Sequence, residues 1–285
     1  MRNNMAKSLS PLRYPGGKSK IYEKVKNLII ASGFENRMYV EPFAGGFGIG
    51  IGLLCEGIVP SAILNDYDTH IYNFWHAVLN ETEGLLRLIN DTPISIEERE
   101  RQILNYKNTD SDTLTDGFAT LFLNRVNFSG VIKGGPIGGL DQSGLYKVDC
   151  RFNKDDIKSK IETIAHLGNR IKLYNKDARY FIRMHLMKMK SPLFINIDPP
   201  YVIKGRQLYT NFFTEGDHLN LQQVIIKHLD SDYPWIITYD ECSLVRNLYK
   251  QFHMQEYDIA HNAGGTVTGK EIVITNLPTD KFRWD

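Results

Sequence analysis

The stretch "MYVEPFAGGFGIGIGLLCEG" (38–57) constrains the fold more than any other part of the chain. Its first residues suit a short buried strand. Glycines follow, and they let the backbone reverse sharply and approach a ligand closely. An apolar run of helical length then ends at another glycine. "SAILNDYD" (61–68) is a second buried strand ending in acids, and "THIYNFWHAVLN" (69–80) is helical and rich in aromatics. Strand, glycine turn, helix, strand, acid is the opening of a parallel doubly wound sheet. Ahead of it, "KIYEKVKNLIIASG" (20–33) has helical spacing and a glycine stop.

The alternation then breaks off. Residues 81–116 read as polar helices, 117–130 as an apolar helical segment, and 131–153 as a hairpin or ordered loop. Residues 155–171 are again helical, with Asp155 or Asp156 as the expected cap. Sheet-like segments return at "IKLYNKDA", "SPLFINIDPPY", "YPWIITYD" and "KEIVITNLP". The expected fold is α/β. One sheet domain is built from 1–69 and 171–285, and a mostly helical insertion spans 70–170.

A net charge of +1 selects no partner, but its distribution is uneven. Residues 1–26 carry seven Lys/Arg against one acid, 121–154 five against two, and 176–190 five against one, whereas 81–116 carry four against nine. Basic patches set apart from an acidic segment suit a face that binds a polyanion. No apolar run is long enough to span a membrane, and the first residues lack the apolar core of a secretory signal. Cys55, Cys150 and Cys242 form no CxxC pattern, which points to reduced thiols, a cytoplasmic protein and no metal.

Four stretches carry chemistry. "EPFAGGFGIG" (41–50) runs G-G-x-G-x-G-x-G, which departs from the G-x-G-x-x-G dinucleotide fingerprint, and no GK[ST] follows. Asp66 stands twenty residues after Gly46 at the end of the next strand, where an acid bonds ribose hydroxyls in nucleoside-binding sheets; Asp68 is an alternative. In "PLRYPGGKSK" (11–20), Lys18 or turn N–H groups suit an anion. "FINIDPPYVIKG" (194–205) ends an apolar strand in an acid, two prolines and a tyrosine. Asp198 and a proline carbonyl can each accept a hydrogen from an amino group, and Tyr201 can stack on a planar base.

In this order, "PLRYPGGK", "EPFAGGFGIG", "LNDYD", "LFLNRVNFSG" and "DPPY" resemble the Dam-like, D12-class DNA adenine-N6 methyltransferases of the α group, from about residue 11 to 278. The resemblance implies a Rossmann-like sheet that binds S-adenosylmethionine, releases S-adenosylhomocysteine and uses no metal. It also implies an inserted target-recognition domain. Tyr14, Gly17 and Lys18 would meet the methionine end, and Phe43, Ala44, Gly45 and Gly46 would cradle it. Asp66 would hold the ribose, Asp177 and Ala178 would lie beside the cofactor's adenine, and Asp198 would border both cofactor and base. Asp198, Pro199, Pro200 and Tyr201 would form the catalytic turn, with Phe212 or Phe213 stacked opposite Tyr201. In the insertion, Arg125, Asn127, Lys133, Gln142, Lys147 and Arg151 have the chemistry to bind DNA, and Phe128 to wedge into it.

The implied activity is site-specific methyl transfer to the N6 amine of an adenine flipped out of duplex DNA. Four rivals stand beside it. An RNA adenine methyltransferase would share the cofactor chemistry. A protein glutamine methyltransferase would usually carry Asn in place of Asp198. A catalytically silent S-adenosylmethionine- or DNA-binding protein would not need an intact DPPY. A nicotinamide dehydrogenase would leave it unexplained. Restriction-modification with a cognate endonuclease, a phage enzyme and an orphan regulator look alike at this level, in a bacterial, archaeal or phage setting.

Overall fold

The computed structural model describes residues 9–13, 21–203, 213–229, 233–262 and 266–284, and for 259–262 and 266–268 the backbone alone. The expected contributions of Tyr14, Gly17, Lys18 and Phe212 lie outside the described residues. The chain divides into two compact units, one of Gly17–Tyr67 and Arg170–Asp285, the other of Met1–Gly16 and Asp68–Asn169.

The first unit holds a seven-stranded sheet in the order β3-β2-β1-β4-β5-β7-β6. Its strands are β1 (Met38–Glu41), β2 (Ala62–Asn65), β3 (Ile171–Tyr174), β4 (Leu193–Ile197), β5 (Trp235–Asp240), β6 (His253–Asn262) and β7 (Thr266–Thr275). β1 to β5 are parallel, and β7 and β6 close the far edge as an antiparallel pair. β2, β4 and β5 are buried along their whole length, which accounts for their near-continuous apolar runs rather than alternation. Helices α1 (Tyr22–Ala31), α2 (Gly48–Cys55), α8 (Ala178–Met184), α9 (Glu215–Leu229) and α10 (Ser243–Leu248) belong to this unit. Phe181, Ile182, Leu221, Ile225 and Val245 from these helices join Val40, Ile195, Ile197 and Ile237 of the sheet in one buried cluster.

After β1 the chain turns to β2 and β3, and after β3 it returns to β4 on the other side of β1. The strand order therefore reverses between β1 and β4, paired in register as Met38–Leu193, Tyr39–Phe194 and Val40–Ile195. In open parallel sheets, ligands bind at the carboxyl ends of the strands at such a reversal. The glycine turn leaves β1 there, and Asp198 leaves β4.

The second unit contains α3 (Thr69–Asn80), α4 (Thr82–Asp91), α5 (Ile96–Lys107), α6 (Thr113–Val126) and α7 (Lys154–His166). α6 is buried from Asp116 to Val126. Gly117 lets it meet α3, because a Cβ there would stand 2.7 Å from the Asn73 carbonyl oxygen. α7 is capped by Asn153, whose side chain accepts the Asp156 N–H, and not by Asp155 or Asp156. The two aspartates fill its first turn, where negative charge suits the helix dipole. Between α6 and α7 lies an ordered, turn-rich loop with one bridge, Asn127 to Pro136. β6 was not expected from "HMQEYDIA", whose charges and single Ile conceal a strand at the sheet's edge.

Candidate active site

Parallel strands deliver their carboxyl ends to one edge, and here four of them end in or just before a carboxylate: Glu41, Asp66, Asp198 and Asp240. Asn65, fully buried, ties the loops of this edge together. Its amide nitrogen donates to the carbonyls of Pro42 at 2.8 Å and Lys176 at 3.0 Å, and its oxygen accepts the Lys176 N–H at 3.1 Å. Asp66 Oδ2 accepts the Gly45 N–H at 2.8 Å, so this acid also shapes the glycine turn. Gly45 (φ 46°) and Phe47 (φ 48°) both take the left-handed conformation that the sharp reversal demands. Asp68 caps α3 through the His70 N–H.

Beneath this edge runs a buried chain. Asn196 donates to the Tyr39 hydroxyl, which donates to Glu41 Oε1, each across 2.8 Å. Burial, reinforced by the Glu41 carboxyl, pushes the Tyr39 hydroxyl well above the usual phenol range and keeps it a donor.

The Asp198–Tyr201 turn is held at three points. Thr238 Oγ1 on β5 donates to Asp198 Oδ1 at 2.9 Å. The Asp240 carboxylate accepts the backbone N–H groups of Val202 at 2.9 Å and Ile203 at 2.7 Å. The Tyr201 hydroxyl donates to Glu271 Oε1 on β7, and Tyr257 on β6 donates to the other oxygen of Glu271 at 2.6 Å. Pro199 and Pro200 cannot donate, so the chain leaves the ladder at once. Asp198 is half-buried, while Tyr201 is only 2% exposed. Tyr201 is thus built into the wall of the turn.

Asp177 caps α8 by accepting the Arg179 and Tyr180 N–H groups. Arg179 also forks onto it, with Nη2 2.8 Å from Oδ2, and bonds Asp217 at 2.8 Å. Burial opposes its charge, but these bonds outweigh burial and hold its carboxyl below the usual range. Ala178 is buried behind it. Phe213 meets Phe43 edge-on at 5.8 Å, and the Arg179 guanidinium lies 5.4 Å from its ring. The glycine-turn aromatic thus has Phe213 as a neighbour.

In the helical unit, three of the residues expected on a DNA face are buried or hydrogen-bonded within the unit itself. Arg125 is 8% exposed and donates to the Arg151 carbonyl at 3.4 Å; burial and the nearby Arg13 lower its pKa to about 10. Asn127 is buried, accepting from Arg99 Nε at 2.7 Å and donating to the Ile132 carbonyl. Gln142 spends its amide on its own loop. Lys133, Lys147 and Arg151 are exposed, as is Phe128, and Lys147 bonds the Gln142 carbonyl. Asn127 and Gln142 bond groups of their own loop, a role that residue type alone does not separate from DNA binding.

Asn124, not singled out from the sequence, has a clear task. It brackets Arg13, accepting its N–H at 2.7 Å and donating to its carbonyl at 2.8 Å, while Gly130 (φ 76°) clears space for that carbonyl. "LNRVNFSG" and "PLR" thereby belong to one structure. Glu41, Asn65, Thr238, Asp240 and Glu271 were also passed over. For Glu41, Asn65, Thr238 and Asp240 the available signal is a polar residue at or near the carboxyl end of an apolar strand, as in "WIITYD"; Glu271 lies inside β7 and carries no such signal. Among the described residues, no group of three or more His, Cys, Asp or Glu is placed to hold a metal, and no helix is long and apolar enough to cross a membrane.

Comparison with known proteins converges with this geometry. The retron Ec67 DNA adenine methylase of Escherichia coli is 23% identical over 274 residues, covering 93% of this chain and 89% of that protein. The type II methyltransferase M.MjaIII of Methanocaldococcus jannaschii is 24% identical over 227 residues, covering 75% and 76%. Among solved structures, the rRNA methyltransferase aviRa of Streptomyces viridochromogenes overlays with a TM-score of 0.42 at 11% identity, covering 94% of this chain and 88% of that one. The family described as D12 class N6 adenine-specific DNA methyltransferase matches residues 14–261. With its glycine turn and DPPY turn on adjacent strands, the chain belongs to the D12 class N6 adenine-specific DNA methyltransferases, which act with S-adenosylmethionine.

Proposed function

We propose that Asp198 and the Pro199 carbonyl hold the N6 amine of an adenine flipped out of duplex DNA, at one short sequence, while the glycine turn holds S-adenosylmethionine. The observation that carries this reading is the placement of Asp198 at the end of β4, beside the glycine turn of β1 and fixed by Thr238.

The residues of this edge fit the cofactor's chemistry. S-adenosylmethionine carries positive charge on sulfur and on its amine, and ribose hydroxyls that donate hydrogen bonds. The edge offers Glu41, Asp66 and Asp198 as carboxylates and a glycine turn that exposes backbone. When bound, the cofactor supplies a methyl group already activated by a positive sulfur, so the reading invokes no metal. Asp177 supports α8 and Arg179 at the same edge, with Ala178 as its first helical residue.

The chain's own residues supply positioning and charge. An exocyclic amine is a poor nucleophile while its lone pair is delocalised into the ring. Two acceptors, one on each N–H, favour a pyramidal nitrogen and aim its lone pair. Holding reactants in line is the main catalytic device here. Asp198 also stabilises the positive charge that develops on the nitrogen. The adenine must leave the stack first, at a cost of a few kcal/mol. Tyr201, anchored through Glu271, forms the wall against which the base would rest, once the residues covering its ring give way. Among the described residues, Lys133, Lys147 and Arg151 are exposed cations with the chemistry to meet phosphates. The protein acts in the cytoplasm; pairing with a restriction endonuclease is one setting for it.

The test is transfer of labelled methyl to matched duplex DNA, single-stranded DNA and RNA. Label appearing as N6-methyladenine in the duplex at one motif supports the reading; label confined to RNA contradicts it.

A further inference from the structure

We propose that Asp240 is a positioning residue for methyl transfer. It pins the backbone just beyond the catalytic turn and so, together with Thr238, sets the spacing of the two acceptors that hold the amine. This rests on the reading of Asp198 and the Pro199 carbonyl as those acceptors.

β5 holds the turn at both ends. Side chains alternate along a strand, so Thr238 and Asp240 share one face. Thr238 Oγ1 donates to Asp198 Oδ1 at 2.9 Å, where the turn begins. Asp240 accepts the Val202 N–H on Oδ1 at 2.9 Å and the Ile203 N–H on Oδ2 at 2.7 Å, where it ends. Tyr239, between them, meets Nδ1 of His218 on α9 at 2.9 Å. Each proline of the turn has a fixed φ. With both ends tied to one strand and two stiff residues between, the Pro199 carbonyl has little freedom relative to Asp198.

The bonding at 240 selects a carboxylate. One oxygen meets each N–H. An amide there would turn its own N–H groups toward one of the two donors. Ile203 is 65% exposed, so burial of its own side chain does not secure this end of the turn.

The acid also carries a cost that a purely structural residue would avoid. The β5–β7 register sets Asp240 directly opposite Glu271. Both are buried. Like charges opposite each other on neighbouring strands destabilise a sheet, and taking them out of water adds to the cost. Donors from the turn offset it: the Tyr201 hydroxyl meets Glu271, and the Val202 and Ile203 N–H groups meet Asp240. What the two acids share is the turn they hold. Destabilising arrangements of this kind are characteristic of functional sites.

The experiment uses the full chain, duplex DNA carrying its methylation site and saturating S-adenosylmethionine, at a temperature where circular dichroism shows every variant folded. Asp240→Asn keeps the shape and breaks the paired acceptance. Its kcat should fall about tenfold or more, with cofactor affinity by calorimetry within about twofold. Asp240→Glu keeps both acceptors but adds a methylene, and should retain more kcat than Asp240→Asn. A residue that served packing alone would give the opposite order. Because Thr238 and Asp240 hold one turn, Thr238→Val with Asp240→Asn should lose less than the product of the single losses. Asp240→Asn with kcat within about twofold of wild type overturns the proposal. So do Asn ranking above Glu, fully multiplicative losses, or a fall in cofactor affinity that matches the fall in kcat. Each of these leaves the role of Asp198 standing if Asp198→Ala is inactive. Near-normal turnover by Asp198→Ala overturns both.

Discussion

Thr238 on β5 donates its hydroxyl to Asp198, the first residue beyond β4, across 2.9 Å. A neighbouring strand thus fixes the orientation of the carboxylate that would hold the amine. A hydrogen bond to a charged group contributes about 1.5–3 kcal/mol. Thr238→Val keeps the shape and removes the bond. We expect kcat to fall about tenfold or more, with S-adenosylmethionine affinity within about twofold. An unchanged kcat would show that Asp198 needs no such support.

Tyr201 and Tyr257 both donate to Glu271, so a buried carboxylate anchors the tyrosine of the turn to the antiparallel edge. Tyr201→Phe keeps the ring and leaves Glu271 one donor short. Stability should drop by about 1–3 kcal/mol. The loss in kcat should be much smaller than that caused by Tyr201→Ala. Equal losses for Phe and Ala would mean that the hydroxyl, not the ring, matters to transfer.

Asn65 joins the loops after β1 and β3 through three hydrogen bonds. Asn65→Leu strands buried backbone groups, at about 1–3 kcal/mol for each left unpaired. Denaturant unfolding should show a loss of about 3 kcal/mol or more. Calorimetry should show weaker S-adenosylmethionine binding than in Asp198→Ala. Normal cofactor affinity would separate this clamp from the cofactor site.

His70 Nδ1 lies 2.7 Å from Asp116 Oδ1, and Tyr106 stacks on the imidazole at 3.8 Å. The Asp116 bond raises the His70 pKa against the opposing effect of burial; Asp68 adds to the rise and Lys133 subtracts from it. A raised folded-state pKa gives stability that is complete below about pH 6.5, the ordinary histidine value. It is lost as pH climbs through the raised pKa. The Tm gap between wild type and His70→Gln should therefore be widest in mild acid and narrow as pH rises. A gap that widens with pH would contradict the pairing.

Much of the sheet was legible because burial on both faces writes itself as apolar runs ending in turn formers. "MYVE", "AILN", "LFINI" and "WIITYD" all became strands. β6 was hidden because an edge strand is free to carry charge. At the site, DPPY and the glycine turn stood out by composition, and the fold placed them on adjacent strands. The residues that hold them were harder to find. Thr238, Asp240 and Glu271 reach the turn from β5 and β7, and such long-range hydrogen bonds leave no local spacing to read. The same limit hid the partners of Asn127 and Gln142, which are carbonyls and N–H groups of their own loop and the Arg99 side chain.

The central claim is that Asp198 holds the adenine amine. The most direct measurement is single-molecule sequencing of DNA from methylation-deficient cells expressing the wild type or Asp198→Ala, with S-adenosylmethionine binding measured on both proteins. The account predicts N6-methyladenine at one short motif with the wild type and none with Asp198→Ala, while the variant still folds and binds the cofactor. Near-normal methylation by Asp198→Ala would contradict it.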